Sequence, residues 1–598
     1  MSSSFKRFFS TYKFILKLAY QISPSHLFFI TFLQSIWGLT NLPVLYINKL
    51  LIDLVISAVG RPDWQTVART IVLVIILRSL IEYIRFAMNR FIYPMESSLS
   101  RLLNAKAEIL MAQKLNSLDV STVESPAFQD KFKKIGREYN QRLWGMVQPI
   151  SQIPNSVFTI ISAAIALFTF NPWIGLAIII FELPDVWLSA KFSKLEYALG
   201  ERQATTNRLW GWTNHYLTNP QSFYENKILG TVKILTQKMN ELAQQIIGER
   251  VKLDIKRSKF RSLAEIPSNL LFILLNSYFF ILALAGKITL GSAQMLYQAC
   301  TTLGNGFGML LSNVNTIYAN YLFASDFSWL LDLKSSERVK GRTPRLPFKK
   351  GIEFRHVWFK YPNSKNWILE NVDLSIEPRE NIALVGENGA GKTTLIKLLV
   401  GFYTPQKGQI LVNGVDVQKY NIHAYRKILS VLFQDFSDYA FSAQESIGYG
   451  DISRLKNKQA IEAAAKLTGV HRFIQSLSLK YRTPLSKSFE KGVEPSKGQW
   501  QRIALARTLF KNGEVVVLDE PTSNVDPKAE EEIFEKIIRL ARNKILLLIS
   551  HRFSTVRRAD KILLLEGGKI TEQGTHDQLM LLDKKYARLF RLQAKSYQ

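Results

Sequence analysis

The sequence predicts a multidomain protein in which an all-α membrane domain with six spans precedes an α/β domain that contains a helical subdomain. Three observations lead to this fold class. The chain has 598 residues, residues 26–330 are dominated by long apolar runs, and residues 350–598 alternate apolar and charged segments. A single hydrophobic core does not extend over a chain of this length, so several domains are expected. The mean hydropathy of +0.01 averages over two halves of different character.

Six stretches of the first half are long and apolar enough to cross a bilayer. The first, 26–48, carries no formal charge and as a helix extends about 34 Å, enough for the hydrocarbon core. The others are 66–92, 147–170, 172–190, 265–286 and 289–323. The second of the six contains Arg78, Glu82 and Arg85 on one helical face, and we expect this face to meet the bundle or water because charges are costly toward lipid.

Basic residues in the loops predict how the chain sits in the membrane. The N-terminal arm, 97–145 and 191–261 are rich in Lys and Arg, whereas the three intervening loops are short and nearly uncharged. Positive residues stay on the cytoplasmic side, so both termini are expected there. Contact with anionic headgroups also accounts for the net charge of +29. No basic module interleaved with aromatic residues appears, so nucleic acid is not an expected partner.

These patterns divide the chain into four parts. Residues 1–25 form an amphipathic elbow along the inner membrane surface, although their acid-free, Ser-rich start also fits an organellar targeting peptide. Residues 26–332 form the membrane domain, with helices that continue well into the cytoplasm. Residues 333–350 are a linker, and residues 351–590 are the α/β domain. Cys300 is the only cysteine, so no internal disulfide forms.

A phosphate-binding loop lies in the α/β domain. It follows the apolar run 382–385, leads into 395–399, and consists of Gly386, Glu387, Asn388, Gly389, Ala390, Gly391, Lys392, Thr393 and Thr394. A strand, a Gly-rich turn and a helix are the context that this motif requires. The turn directs backbone N–H groups at the phosphates, Lys392 reaches them as a point charge, and the Thr393 hydroxyl holds Mg²⁺. The sequence therefore predicts a P-loop NTPase domain that binds ATP or GTP.

Other residues with the chemistry of phosphoryl transfer follow in order. The apolar strand 515–519 ends in two carboxylates, with Asp519 suited to Mg²⁺ and Glu520 to polarising the attacking water. Gln434 ends a strand over 429–433 and can ligate Mg²⁺ or water. His551 follows the strand 545–550 and can reach the γ-phosphate from the opposite side, although a His in this position is by itself more often structural. Positioning and charge neutralisation are most of what this reaction requires.

This order of motifs resembles the nucleotide-binding domain of an ATP-binding-cassette (ABC) transporter. The resemblance implies that Tyr361 stacks on adenine, that Gln434 and Asp526 belong to the glutamine and aspartate loops, and that His551 is the switch histidine. Six spans ahead of one cassette resemble an ABC exporter half-transporter of type I, and the likeness covers essentially the whole chain. It implies ATP and Mg²⁺ as cofactors and coupling helices near 120–128 and 219–229 that dock on the cassettes.

One motif departs from the family pattern. The signature, usually Leu-Ser-Gly-Gly-Gln, reads Pro495, Ser496, Lys497, Gly498 and Gln499 in this chain. In the family this segment acts in trans on the nucleotide bound to the other cassette. A full catalytic set beside an altered signature is typical of one half of a heterodimeric exporter, so a second half-transporter is the favoured partner, with a homodimer as the alternative. Lys497 either obstructs close approach or adds favourable charge.

The resemblance implies ATP hydrolysis coupled to alternating access and to export of a peptide, drug-like or lipid-like amphiphile. Candidate cargo-facing residues are Glu182 and Asp185 in the fourth span, with Arg78 and Glu82 in the second. A lipid flippase or an importer built on the exporter frame shares every catalytic residue and is an alternative. A nonhydrolysing, ATP-gated membrane regulator is an alternative of another class, which Glu520 disfavours. The expected location is multi-pass in a bacterial cytoplasmic membrane.

Overall fold

The computed structural model describes residues 2–60, 64–335, 339–362, 364–522, 527–550 and 552–595. The chain forms two compact units. The first comprises Met1–Asn116 and Gln129–Leu333, and the second comprises Ser117–Phe128 and Lys334–Gln598. A short segment from the helical half of the sequence therefore belongs to the same unit as the α/β half.

Up to Asp332 the described chain is helical, as the long apolar and amphipathic runs predict. The helices are α1 (Ser2–Ile22), α2 (Pro24–Leu39), α3 (Asn41–Ala58), α4 (Trp64–Ser117), α5 (Val120–Val123), α6 (Pro126–Phe168), α7 (Pro172–Arg202), α8 (Ala204–Thr218), α9 (Pro220–Leu229), α10 (Val232–Leu284) and α11 (Leu290–Asp332). Several are far longer than a bilayer requires, which agrees with helices that continue beyond the spans.

Four of the six predicted spans fall on segments that are long and apolar enough to cross a membrane. Among the described residues these segments are Pro24–Ala58, Arg142–Phe168, Pro172–Arg202 and Val232–Leu284. The second and sixth predicted spans lie in α4 and α11, which are continuous helices but are not among these four segments. Charged residues lower the hydropathy of α4, and Gly, Asn, Ser and Thr residues lower that of α11.

The first span is interrupted, although its continuous apolar run predicts one helix. Helix α2 ends at Leu39 and α3 begins at Asn41, so the span is two helices that meet at Thr40. Pro43 has no backbone N–H with which to continue the helical hydrogen bonds, which accounts for a break near this point. Arg85 donates hydrogen bonds to the Thr40 hydroxyl at 2.7 Å and to Asn41 Oδ1 at 2.9 Å.

The three charges of the second span have different surroundings. Arg85 faces other helices of the bundle, as predicted, and its guanidinium lies 5.2 Å from the Trp37 ring centroid. Arg78 and Glu82 are exposed in this unit. Arg85 therefore shows the bundle contact, which is one of the two surroundings that we expected for this face, the other being water.

The amphipathic N-terminal segment is a helix, and its apolar side packs on α11. The Phe8 and Tyr321 ring centroids are 5.0 Å apart, and Ile15 and Ala19 are fully buried. Burying these side chains removes apolar area from solvent, which stabilises the packing by about 25 cal/mol per Å² of buried area. From Phe8 onward, the elbow helix therefore packs against other helices of its unit.

The second unit contains two sheets. Its strands are β1 (Ile352–Phe359), β2 (Leu369–Ile376), β3 (Asn381–Val385), β4 (Lys407–Val412), β5 (Val415–Asp416), β6 (Leu429–Leu432), β7 (Val515–Asp519), β8 (Ile545–Ile549), β9 (Lys561–Glu566) and β10 (Lys569–Gly574). One sheet has the order β2-β1-β4-β5 and is antiparallel; the other has the order β10-β9-β3-β8-β7-β6. Within the larger sheet β9, β3, β8, β7 and β6 are parallel, and β10 is an antiparallel edge.

Helices complete this unit and include the predicted helical subdomain. They are α12 (Lys392–Leu399), α13 (Ile422–Lys427), α14 (Ala443–Gly448), α15 (Lys458–Leu467), α16 (His471–Ser476), α17 (Lys497–Lys511), α18 (Pro527–Ala541), α19 (Phe553–Val556), α20 (His576–Leu581) and α21 (Lys585–Lys595). Buried residues of α14 to α17 form a cluster of their own around Ile461, Ile474 and Ile503. The helical subdomain therefore has a separate core.

The parallel sheet positions the functional residues. Every residue of β7 and β8 is buried, and both strands are continuous apolar runs, as parallel strands covered on both faces require. The carboxyl ends of parallel strands lie at one edge of a sheet, where such folds place their ligands. The segments that follow β3, β6, β7 and β8 therefore converge at this edge.

Candidate functional site

The phosphate-binding loop connects β3 to α12 with the geometry that its sequence predicts. Gly389 and Gly391 have φ of +82° and +106°, a left-handed backbone that side chains rarely adopt. A Cβ atom on Gly391 would also lie 2.9 Å from Leu369 Cδ2. The glycines therefore allow the turn that ends at the N-terminus of α12, where backbone N–H groups and the helix dipole favour an anion.

Lys392 lies along the inner side of this loop. Its ammonium donates to the carbonyl oxygens of Gly386 at 2.7 Å and Glu387 at 3.0 Å, and the residue is only 8% exposed. Burial lowers the pKa of Lys392, while the carboxylates of Glu520 and Asp519 oppose that shift. The ammonium is thus held within the loop as a positive charge that a polyphosphate can approach.

Thr393 and Asp519 form the candidate metal pair. The Thr393 hydroxyl donates to Asp519 Oδ2 at 3.1 Å, which joins the start of α12 to the end of β7. Burial raises the pKa of Asp519 to about 6, and the nearby carboxylates of Glu520 and Asp435 add to the rise, while the bond from Thr393 opposes it. A hydroxyl and a carboxylate oxygen side by side suit Mg²⁺, which takes one or two protein oxygens together with substrate phosphates.

Glu520 directly follows β7 in an unusual backbone conformation. Its φ is +49°, which is uncommon for a residue with a side chain. The Glu520 N–H donates to the carbonyl oxygen of Ile549, the last residue of β8, at 3.0 Å. This conformation turns the chain at the end of the strand and keeps the residue partly exposed at the same edge as Lys392 and Asp519.

Gln434 and Tyr361 occupy the positions that the sequence indicates. Gln434 lies exposed two residues beyond β6, at the carboxyl edge of the sheet. The Tyr361 hydroxyl lies 3.1 Å from the Thr394 hydroxyl, which ties the predicted adenine platform to α12. The Tyr361 ring packs edge-on against Phe359 and Tyr403, with centroids 5.2 and 5.3 Å away. Aromatic packing of this kind fixes the ring orientation.

The altered signature begins α17. The Ser496 hydroxyl accepts from the Gln499 N–H at 3.3 Å, and the Ser496 N–H donates to Gln499 Oε1 at 2.8 Å, which is a complete capping box. Lys497 is the first residue of the helix and is exposed. The substitution of Lys497 for glycine therefore leaves the helix start intact and adds a positive charge at an already positive end.

Two predicted site residues, Asp526 and His551, lie outside the described residues. Within the described part of the chain, sequence reasoning missed three participants: Asp435, which acts on Asp519; Gln501, which contacts Glu520; and Tyr403, which packs on Tyr361. Asp435 adjoins Gln434 in sequence, so its position was a usable signal. The other two are brought to the site only by tertiary packing.

The segment Ser117–Phe128 contacts the α/β part of its own unit close to Tyr361. The Tyr403 hydroxyl donates a short hydrogen bond to Glu124, and Lys397 Nζ lies 3.4 Å from Glu124 Oε1. Tyr403 is only 7% exposed, and burial together with the bond to Glu124 raises its pKa. Val120 packs against the core of the unit. This segment contains residues 120–128, for which the resemblance implies the first coupling turn.

A polar cavity of about 650 Å³ lies in the helical unit. It is lined by Glu182 and Asp185 of α7, by Arg261 and Glu265 of α10, and by polar residues of α11 that include Asn305. The Arg261 guanidinium lies 3.0 Å from both Asp185 and Glu265. The described lining therefore has three carboxyl groups and one guanidinium group.

Comparisons with known proteins agree with this arrangement. Residues 369–523 match the family described as ABC transporter. The chain is 28% identical over 492 residues to the subtilin transport ATP-binding protein SpaT of Bacillus subtilis, covering 81% of this chain and 80% of that protein. It is 26% identical over 577 residues to the nisin transport ATP-binding protein NisT of Lactococcus lactis subsp. lactis, covering 96% and 95%.

Two further comparisons concern the cassette and the fold. An ATP-dependent lipid A-core flippase of Alkalilimnicola ehrlichii is 40% identical over 242 residues, which is 40% of each chain. The solved structure of a bacterial Atm1-family ABC exporter with ATP bound superposes with a TM-score of 0.77 at 24% identity, covering 94% of this chain and 97% of that one. The shared fold therefore extends over both the helical and the α/β parts.

Proposed function

We propose that this chain, whose residues 369–523 match the ABC transporter family, is the half of a dimeric exporter that supplies a complete ATP-hydrolysing set. One observation carries the proposal: Lys392, the Thr393–Asp519 pair and Glu520 meet at one sheet edge of a chain that also has long apolar helices. Lys392 and the loop N–H groups bind the β- and γ-phosphates, and Glu520 accepts a proton from the water that attacks the γ-phosphorus. Thr393 and Asp519, with Gln434 as a further ligand, would hold Mg²⁺, whose charge would offset that of the phosphates.

The altered signature points to a partner that differs from this chain. In a two-chain arrangement the N-terminus of α17 faces the nucleotide of the other cassette, and here it presents Lys497. We favour a heterodimer because this chain has an intact catalytic carboxylate beside a changed signature. Purifying the chain alone is the test: weak ATPase activity restored by a second half-transporter supports the heterodimer, and robust cooperative activity of the chain alone supports a homodimer.

The contact of Glu124 with Tyr403 is the proposed route by which nucleotide binding reaches the membrane helices. The segment that carries Glu124 connects α4 to α6 in sequence, and Tyr403 packs on the adenine platform Tyr361. A change in the position of Tyr361 on nucleotide binding is transmitted through the Tyr403 hydroxyl to this segment. We place the second coupling turn at α9, whose Tyr224 and Ile228 are 79% and 83% exposed and so free to dock on a cassette.

The variant Tyr403→Phe is expected to uncouple ATP hydrolysis from cargo transport. The variant keeps the ring packing against Tyr361 and loses only the hydrogen bond to Glu124, which is partly exposed. We expect unchanged MgATP affinity and basal ATPase activity, with cargo exported per ATP lowered about three- to tenfold. Tyr420→Phe is the matched control because its hydroxyl bonds to the Val412 carbonyl within the same unit at 2.9 Å. Equal transport by wild type and Tyr403→Phe would contradict this route.

The cavity between α7, α10 and α11 is the proposed cargo site. Its excess of carboxylates favours an amphiphile with a positively charged or hydrogen-bond-donating group, which includes peptides and cationic drug-like molecules. Gly304 lets α11 approach the acidic side, since a Cβ there would lie 2.9 Å from Phe272 and 3.4 Å from Glu182 Oε1. The proteins named for subtilin and nisin transport are similar to this chain over most of their length, which supports a transport role.

Glu182→Gln tests this cargo site. Removing the charge leaves the nucleotide site untouched, so ATP binding and basal ATPase activity are expected to persist. Export of a cationic amphiphile into inside-out vesicles is expected to fall roughly tenfold or more. Glu196→Gln, on the same helix but in an exposed ion pair with Arg250, is the matched control. A loss of export with Glu196→Gln of the same size would assign the effect to the helix surface rather than to the cavity.

We also propose how the chain is oriented in the membrane and in which direction it moves cargo. The basic cytoplasmic segments favour a chain with both termini inside a bacterial cytoplasmic membrane. ATP added outside inside-out vesicles then drives cargo inward into the lumen. Movement of a fluorescent lipid between leaflets without solute uptake would indicate a flippase, uptake of solute in the opposite direction would indicate an importer, and channel current without hydrolysis would indicate an ATP-gated regulator.

A further inference from the structure

A buried amide on α17 holds the backbone of the proposed catalytic glutamate. Gln501 is only 2% exposed, and its Nε2 donates to the Glu520 carbonyl oxygen at 2.8 Å. Gln501 follows the signature residue Gln499 by two positions and lies on the same helix. The contact therefore joins the helix that begins with the signature to the residue after β7.

The backbone of Glu520 needs such support. At φ +49° a residue with a side chain is in a sparsely populated region, which persists only where surrounding contacts over-determine it. Two hydrogen bonds do so here: the Glu520 N–H donates to Ile549 of β8 at 3.0 Å, and the Glu520 carbonyl accepts from Gln501. Because both sides of the residue are fixed, the direction of its side chain is set by α17 as well as by the sheet.

We propose that Gln501 is a positioning residue for Glu520 and that it links hydrolysis at one nucleotide site to engagement of the signature helix at the other. This inference rests on the proposed function, in which Glu520 serves the nucleotide of its own cassette and the start of α17 serves the nucleotide of the partner. Ser496 and Gln501 are five residues apart, which is about 7.5 Å along a helix. A small movement of α17 on docking therefore reaches the Glu520 carbonyl through the hydrogen bond from Gln501.

A merely structural role for Gln501 makes a different prediction. A buried amide needs a hydrogen-bond partner, and the Glu520 carbonyl provides one. If that were its whole purpose, replacing Gln501 would lower stability and leave the rate per folded molecule unchanged. If Gln501 positions Glu520, the rate falls in molecules that are folded and bind ATP normally.

Gln501→Met in the assembled transporter is the test. The variant keeps the length of the side chain and removes its N–H donor. We expect kcat for ATP hydrolysis to fall about ten- to hundredfold while the Kd for MgATP, measured with the same preparation, is unchanged. Thr508→Val is the control, since Thr508 is buried on the same helix and its hydroxyl donates to Ala504 at 3.1 Å, away from Glu520.

A double-mutant cycle with Glu520→Gln distinguishes the two roles. If Gln501 acts through the Glu520 side chain, Gln501→Met lowers kcat in the wild-type background and has no further effect in the Glu520→Gln background. Equal losses in both backgrounds, or wild-type kcat in Gln501→Met, overturn the inference. If Gln501→Met does not assemble, Gln501→Asn withdraws the amide by one methylene and gives the same comparison.

The cycle also separates this inference from the proposed function. If Glu520→Gln turns over slowly and Gln501→Met turns over normally, the hydrolytic role of Glu520 is supported. Only the proposed role of Gln501 is then contradicted. Full turnover in Glu520→Gln removes the proposed role of Glu520 itself, and the inference about Gln501 with it.

Discussion

Glu520→Gln is expected to bind MgATP normally and to hydrolyse it about a hundredfold to ten-thousandfold more slowly, the range by which a positioned general base accelerates a reaction. The amide preserves the size of the side chain and cannot accept the proton of the attacking water. Glu520 lies at the sheet edge beside Lys392 and Asp519, so the loss falls on turnover rather than on binding. Single-turnover hydrolysis and the amount of nucleotide retained after gel filtration of the reconstituted complex measure the two effects.

Glu514→Gln is the matched control for this variant. Glu514 immediately precedes β7, at the end of the strand opposite Glu520, so its carboxylate is remote from the phosphate loop. Normal turnover with Glu514→Gln and trapped nucleotide with Glu520→Gln are the expected pair of results. Wild-type turnover in Glu520→Gln would remove the central assumption of the hydrolytic mechanism.

Lys392→Ala is expected to lower ATP-driven export strongly by weakening nucleotide binding. The buried ammonium already donates to two loop carbonyls and is held where the phosphates arrive. Hydrogen bonds to charged groups contribute about 1.5–3 kcal/mol, so the Kd for MgATP should rise about ten- to hundredfold. Equilibrium binding of a fluorescent ATP analogue measures this shift.

Lys419→Ala controls for the loss of one positive charge from the same unit. Lys419 is exposed and lies in the turn after β5, away from the phosphate loop. Its replacement should leave the Kd for MgATP unchanged. A Kd that is also unchanged in Lys392→Ala would show that the loop N–H groups bind the phosphates without the ammonium, and the export defect would then have to arise after binding.

Local patterns predicted the cassette well. The apolar runs before Gly386, Gln434 and Glu520 each correspond to a strand of the parallel sheet, with bounds that agree to within one residue. Such agreement is expected because strands buried on both faces read as continuous apolar runs. The glycines of the phosphate loop were equally informative. Glycines at that spacing permit left-handed backbone conformations and are typical of a phosphate-binding turn.

The membrane half was harder to predict in detail. The sequence indicated one helix over 26–48, but the span continues to Ala58 and breaks at Thr40. Hydropathy reports how apolar a stretch is and not where one helix ends and the next begins. The polar contacts of Arg85 with Thr40 and Asn41, which stabilise this break, join residues more than forty positions apart.

The residues that determine the chemistry of nucleotide binding are consecutive or follow strands, so the sequence alone determined the phosphate loop, the Thr393–Asp519 pair and Glu520 as candidates. Only the tertiary structure decided which distant groups contact the site: Gln501 contacts the Glu520 carbonyl, and Glu124 contacts Tyr403, which packs on Tyr361. The physical reason is that a strand or a turn is specified by neighbouring residues and their periodicity. A hydrogen bond between helices and loops far apart in sequence depends on how those elements pack, and no local pattern records it.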